Sequence, residues 1–156
     1  SARGCLMMSL EEQNEILQSI VDLVLRENRD EGWTDVKIRF SGLVSVSSLR
    51  AEKTRADGST ELVPLPPDVG VLYNKLRTGM HQRGKGTWYN AWTVVEPTGV
   101  SETDFEYDVP PVFQNPIGPR SFYEDMHYFP RLVDEIPEWL MQKLREARLM
   151  GRGKQD

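Results

Sequence analysis

The chain has 156 residues, of which 38% are hydrophobic and 28% charged, with four Trp, five Phe and a formal net charge of −5. A length of about 100–200 residues is that of one domain with its own core, and four Trp among ordinary apolar content exclude wholesale disorder. Its apolar runs fall well short of the ~18–20 residues that cross a bilayer, and the acidic balance lacks the basic footprint of a general nucleic-acid binder.

The N-terminal stretch 1–8 has no signal-peptide pattern, and Met7 or Met8 is a candidate natural start. Cys5 is the only cysteine, so no internal disulfide and no cysteine-based zinc site is available. A reduced, cytoplasmic setting fits that usage. Residues 9–150 are expected to form a single domain, with 1–8 and 151–156 as flexible ends.

Ser9 with Glu12 three residues on is a capping box, and Ile16, Leu17, Ile20, Leu23 and Val24 make one apolar face, which predicts a helix over 9–28. Gly32 breaks it. Val36, Ile38 and Phe40 then alternate with Asp35, Lys37 and Arg39, the pattern of a half-buried strand. Gly42 marks a turn, 43–49 reads as a second, weaker strand, and Asp57-Gly58 predicts a hairpin pairing 50–55 with 60–63.

Beyond Pro64, Pro66 and Pro67, Asp68 is placed to cap a helix over 69–80, with Val69, Leu72, Tyr73, Leu76 and Met80 on one side. His81-Gln82-Arg83-Gly84-Lys85-Gly86 is a polar glycine-rich loop. Residues 87–96 read as a strand with Trp88, Trp92 and Val94 near one face. Residues 100–109 return as another, with Phe105, Tyr107 and Val109 on one face and Glu102, Asp104, Glu106 and Asp108 on the other. Four prolines impose an extended passage over 110–119. A short helix follows over 121–128, and Pro137 opens a last helix over 136–149 that Gly151 ends. Helices and hairpin-connected strands are segregated along the chain. The expected class is therefore α+β, with a mostly antiparallel sheet carrying N-terminal, central and C-terminal helices.

Charge is polarised. Residues 69–95 carry Lys75, Arg77, Arg83 and Lys85 and no acid. Residues 96–125 carry seven acids and only Arg120, a net −6, and the rest of the chain sums to +1. Such block asymmetry suits a surface that meets one partner.

Catalytic patterns are sparse. Gly84-Lys85-Gly86-Thr87 lacks the spacing of a phosphate loop and falls between a helix and a strand in the wrong order. Glu124-x-x-His127 is one copy of a motif that di-metal bundles need twice. The Glu102/Asp104/Glu106/Asp108 stripe could serve a hard cation, but same-face strand positions lie ~6.6–6.8 Å apart, so one ion reaches two carboxylates at most. A solvated outer face and a protein-binding surface that steers a basic partner are the other readings of that stripe.

Several segments resemble a known family. Leu72-Tyr73-Asn74-Lys75-Leu76-Arg77, Gly84-Lys85-Gly86-Thr87-Trp88-Tyr89 and Phe105-Glu106-Tyr107-Asp108 before Pro110-Pro111 resemble the YezG-like antitoxins. Asp125-Met126-His127-Tyr128-Phe129-Pro130-Arg131 and Ile136-Pro137-Glu138-Trp139-Leu140 are similar to stretches of that family's immunity factors against the tuberculosis necrotizing toxin. The resemblance covers roughly 69–142 and leaves 43–67 unmatched.

It implies an immunity protein that binds and inhibits a cognate secreted toxin by occluding its active site, with no catalysis and no cofactor of its own; the toxin is an NAD+ glycohydrolase by similarity to the necrotizing-toxin immunity factors, while toxins paired with other YezG-like members include nucleases. The partner is then the toxin's catalytic domain. The expected contact residues are His81, Gln82, Arg83, Gly84, Lys85 and Gly86 as a wedge, with Trp88 and Arg120, while Glu102, Asp104, Glu106 and Asp108 steer the encounter. Core packing is the simpler reading of Trp88 and Trp92, and Arg131 is expected to pair with Asp125 or Asp134. A small metal-dependent enzyme built on the acidic strand and a generic interaction domain remain the alternatives.

Overall fold

The computed structural model describes the backbone of residues 8–155 and the side chains of residues 8–151. Helix α1 spans Leu10–Glu27 and is followed by strands β1 (Trp33–Gly42), β2 (Ser47–Arg55) and β3 (Thr60–Leu62). Helix α2 (Pro67–Gly79) precedes β4 (Asn90–Val95) and β5 (Ser101–Glu106), and helices α3 (Pro119–Tyr128) and α4 (Glu138–Gln155) close the chain. The five strands form one antiparallel sheet in the order β3-β2-β1-β4-β5. The fold is thus α+β, as the segregation of the elements predicts. No described helix is long and apolar enough to cross a membrane.

Sequence-local signals account for most of these elements. The Ser9 hydroxyl accepts from the Glu12 N–H at 3.1 Å and caps α1, whose Ile20, Val21 and Val24 are buried. On β1, Val36, Ile38 and Phe40 point to the same side and are fully buried. They pack with Val69, Tyr73 and Leu76 of α2 and with Ala91 and Val95 of β4. Each such aliphatic contributes about 1.5–3 kcal/mol by leaving water. The Phe40 and Tyr73 rings stack at 5.1 Å, and the Tyr73 hydroxyl donates to Thr93 Oγ1 at 2.6 Å. Lys53 is also buried on this side and donates to Asp30 at 2.8 Å. Hydrogen bonds from Lys53 and then Arg55 hold the Asp30 carboxyl down at about 2.

A second, smaller core of Leu43, Tyr89, Phe122 and Leu140 lies where β1 ends, and it binds α3 and α4 to the sheet. Leu140 and Ala147 of the last helix are buried as its spacing predicts.

Several boundaries differ from expectation. Residues 43–46 form the β1–β2 turn, closed by the Leu43 N–H to Val46 O at 2.8 Å, so 47–55 is one strand rather than two pieces. Helix α2 starts at Pro67 with Pro66 as its cap residue, and Asp68 makes no capping bond; proline at the first turn suffices. Helix α4 continues through Gly151 to Gln155, where an end was expected. The expected flexible end 1–8 lies outside the described residues except for Met8, whose N–H donates to Gly79 O at 2.7 Å. Cys5, Met7 and Asp156 also lie outside them.

Candidate functional site

Strand alternation gives the sheet two unlike faces. α1 and α2 cover one of them. The other carries Arg50 and Glu52 from β2, Lys37 and Arg39 from β1, Trp92 and Val94 from β4, and Glu102, Asp104 and Glu106 from β5. Register brings these residues together: Arg39 lies opposite both Arg50 and Trp92, Lys37 opposite Val94, and Trp92 opposite Asp104. Trp92 is 41% exposed, an unusual state for an indole in the middle of a sheet. Its ring is fixed nonetheless, because its Nε1–H donates to Glu106 Oε1 at 2.9 Å and the Arg39 guanidinium lies 5.7 Å over the ring. The face is acidic along β5, aromatic at its centre and basic along β1, with Arg50 and Glu52 side by side on β2.

The expected wedge is organised differently. Residues 82–86 form a tight turn closed by reciprocal bonds between Gln82 and Gly86, at 2.8 and 3.0 Å. Gly86 has φ +69°, and a Cβ there would meet Phe129 O at 2.9 Å; Gly84 has φ +84° and abuts Leu132. These glycines let the turn dock on the chain's own 129–132 segment, with the Leu132 N–H donating to Gly84 O at 2.7 Å. His81 donates through Nδ1 to Thr78 O at 2.6 Å and packs against Phe129. Arg83 and Lys85 alone project as exposed charges, and Gln82 is half-buried. Arg120 is exposed in the first turn of α3.

Trp88 requires correction as a partner contact. It is fully buried, edge-on to Phe40 at 5.9 Å and against Phe105 at 5.1 Å. The two tryptophans that sequence placed on one face therefore part: Trp88 enters the core and Trp92 the surface. β4 begins only at Asn90, after Trp88 and Tyr89 have already turned inward.

The acidic stripe also splits. Glu102, Asp104 and Glu106 lie along β5, but the strand stops at Glu106. Asp108 leaves it to accept from Arg131 Nη1 at 2.8 Å. Arg131, expected beside Asp125 or Asp134, instead joins Asp108 and the Glu135, Thr87 and Tyr107 carbonyls. Asp125 pairs with Arg77 through two bonds of 2.6 and 2.8 Å and accepts the Val44 N–H at 2.7 Å. Both side chains of that pair are 2% exposed. Tyr89 lies between Arg77 and Arg131, and burial, with the Asp125 charge, pushes its phenol up to about 12. Arg77, Asp125 and Arg131 are thus a structural node that ties α2, α3 and the β1–β2 turn to the strands.

For metal chemistry, the described residues hold no group of three His, Cys, Asp or Glu arranged to bind an ion. Glu124 and His127 are both exposed on α3, and the His127 ring packs against Tyr128. The sequence reading missed Arg39, Arg50 and the exposure of Trp92, because cross-strand register alone brings them together. No family model and no curated protein sequence matches this chain.

Proposed function

We propose that this chain is a binding protein that acts as an immunity protein: it holds and inhibits a cognate secreted toxin and performs no chemistry of its own. The observation that carries the binding role is the open sheet face, where a rigidly held, exposed Trp92 sits between carboxylates and guanidiniums. Tryptophan and arginine are the residue types that dominate binding energy at protein interfaces. The Trp92 ring, already held by Glu106 and Arg39, loses little conformational freedom on association. The three β5 carboxylates supply a field that draws a basic partner and speeds encounter. Resemblance of the 125–131 and 136–140 stretches to the necrotizing-toxin immunity factors is what supplies the toxin class, an NAD+ glycohydrolase, and with it cytoplasmic action in the protected cell.

The test is inhibition. The product of the neighbouring open reading frame is assayed for NAD+ hydrolysis against increasing amounts of the protein. Activity falls to background at equimolar ratio on this reading. A toxin domain that neither binds the protein nor loses activity at tenfold excess would remove it.

A further inference from the structure

The basic half of the open face contains an arrangement that sheets ordinarily avoid. Arg39 and Arg50 are direct partners in the β1–β2 register, and like charges directly opposite each other destabilise a sheet. Neither is neutralised well. Arg50 reaches Glu52 only at 3.6 Å, longer than a hydrogen bond. Among the described residues, no carboxylate lies within 4.0 Å of the Arg39 guanidinium, which rests on Trp92 instead. Both arginines line a cavity of about 330 Å³, together with Ser48, Leu62, Val112 and Gln114.

The wall of this cavity is held in place. The Val112 N–H donates to Ser41 Oγ at 3.1 Å, and Ser41 Oγ donates to Asn90 Oδ1 at 2.6 Å. Asn90 Nδ2 donates in turn to the Val109 and Pro110 carbonyls, each at 3.1 Å. Ser41 and Asn90 are both buried, so the strap over 109–112 is pinned to the sheet by satisfied polar groups.

We infer that this cavity is a carboxylate-binding pocket that takes an Asp or Glu side chain of the partner protein, flanked by an apolar neighbour. The inference rests on the protein-binding reading above and names the chemistry of its basic half. A guanidinium presents forked donors that match a carboxylate bidentately, and two arginines line this one cavity. Leu62, 62% exposed, and Val112 offer apolar surface to the residue beside the acid. A polyanion is disfavoured, because Glu102, Asp104 and Glu106 share the face and repel an extended phosphate chain. The partner surface that fits carries both signs: an acid for Arg39 and Arg50, and a base for the β5 carboxylates.

The test uses small probes and the intact protein. Arginine Nε–H resonances are followed by NMR during titration with acetyl-Leu-Glu-amide, acetyl-Leu-Gln-amide and inorganic phosphate. The acidic peptide should give saturable shifts at Arg39 and Arg50, the glutamine peptide at least tenfold weaker ones, and Arg50→Gln should abolish saturation while the remaining spectrum stays that of the folded protein. No saturation by the acidic peptide, equal response to the glutamine peptide, or phosphate saturating at the same or lower concentration each overturns the inference. None of the probes needs the toxin. A failed pocket therefore leaves the immunity reading standing, and a toxin that does not bind leaves the peptide result unchanged.

Discussion

Two pairs of charged side chains show how differently one chain uses arginine. Arg77 is buried, paired through two bonds with Asp125, bonded to the Trp88 carbonyl at 2.7 Å and flanked by the Tyr89 and Phe129 rings. Arg39 and Arg50 stand on the open sheet face, opposite each other and poorly compensated. The first arrangement is buried beyond a ligand's reach, with both side chains 2% exposed. The second lines a cavity from rigid strands, with Arg50 exposed and Arg39 half-buried against Trp92. Burial with full pairing marks a group that holds the fold, and exposure with unmet pairing on a stiff element marks one available to a partner.

The largest expected effect comes from breaking the closed arrangement. Asp125→Ala leaves the Arg77 charge buried without a partner and should cost about 3–5 kcal/mol. Chemical denaturation measures it. The double variant Arg77→Met with Asp125→Leu should recover much of that loss, because a buried ion pair adds little net stability over apolar packing. A double variant as unstable as the single one would show that the bonds to the Trp88 carbonyl and the Val44 N–H, lost with the pair, carry the stability.

A smaller effect should appear in alkali. The Tyr89 phenol is pushed up to about 12, against 10.0 for a free tyrosine. The unfolded chain therefore ionises first. Stability is fully present below pH 10.0 and falls as pH rises toward about 12. The tyrosinate absorbance that belongs to Tyr89, read as the difference from Tyr89→Phe, should rise together with unfolding rather than ahead of it. At the other end, Asp30 is held at about 2 against 3.8 for a free carboxyl, so its contribution is present above 3.8 and fades as pH falls toward 2. Asp30→Asn should flatten the acid limb of the stability profile.

The smallest effect on stability is expected on the open face. Replacing Glu102, Asp104 and Glu106 by their amides should change folding stability by no more than about 0.5 kcal/mol. The same variant should associate with the toxin domain more slowly, and its association rate should lose its dependence on salt. A retained salt slope would place the steering charge elsewhere.

How far the sequence is legible follows the same division. α1, β1, the β2–β3 hairpin and α2 rest on signals a few residues apart: a capping box, alternation at Val36, Ile38 and Phe40, the Asp57-Gly58 turn, and proline at a helix start. The closed node does not, since Arg77 and Asp125 are separated by 48 positions and meet only in the folded chain. Asp108 alternates correctly with Glu106, and its departure becomes visible only once Arg131 is seen to capture it. Trp88 and Trp92 have equal parity along the chain. What separates them is the start of β4 at Asn90, which no local residue marks. Gly84 and Gly86 were legible as conformational freedom, but a sequence does not reveal whether that freedom admits a partner or the chain's own segment 129–132. The candidate site was half visible: its carboxylates stand in one alternating run, while its arginines come from different strands.

On the proposed function, the open sheet face rather than the 81–86 turn meets the partner. Equilibrium affinity for the toxin domain, measured for Trp92→Ala and for Arg83→Ala with Lys85→Ala, tests it most directly. A central aromatic anchor is worth about 2 kcal/mol or more, so Trp92→Ala should weaken binding by roughly 30-fold or more. The double variant should stay within about threefold of the parent, as exposed charges outside the contact do. Unchanged affinity for Trp92→Ala together with a large loss in the double variant would contradict the account and return the interface to the turn.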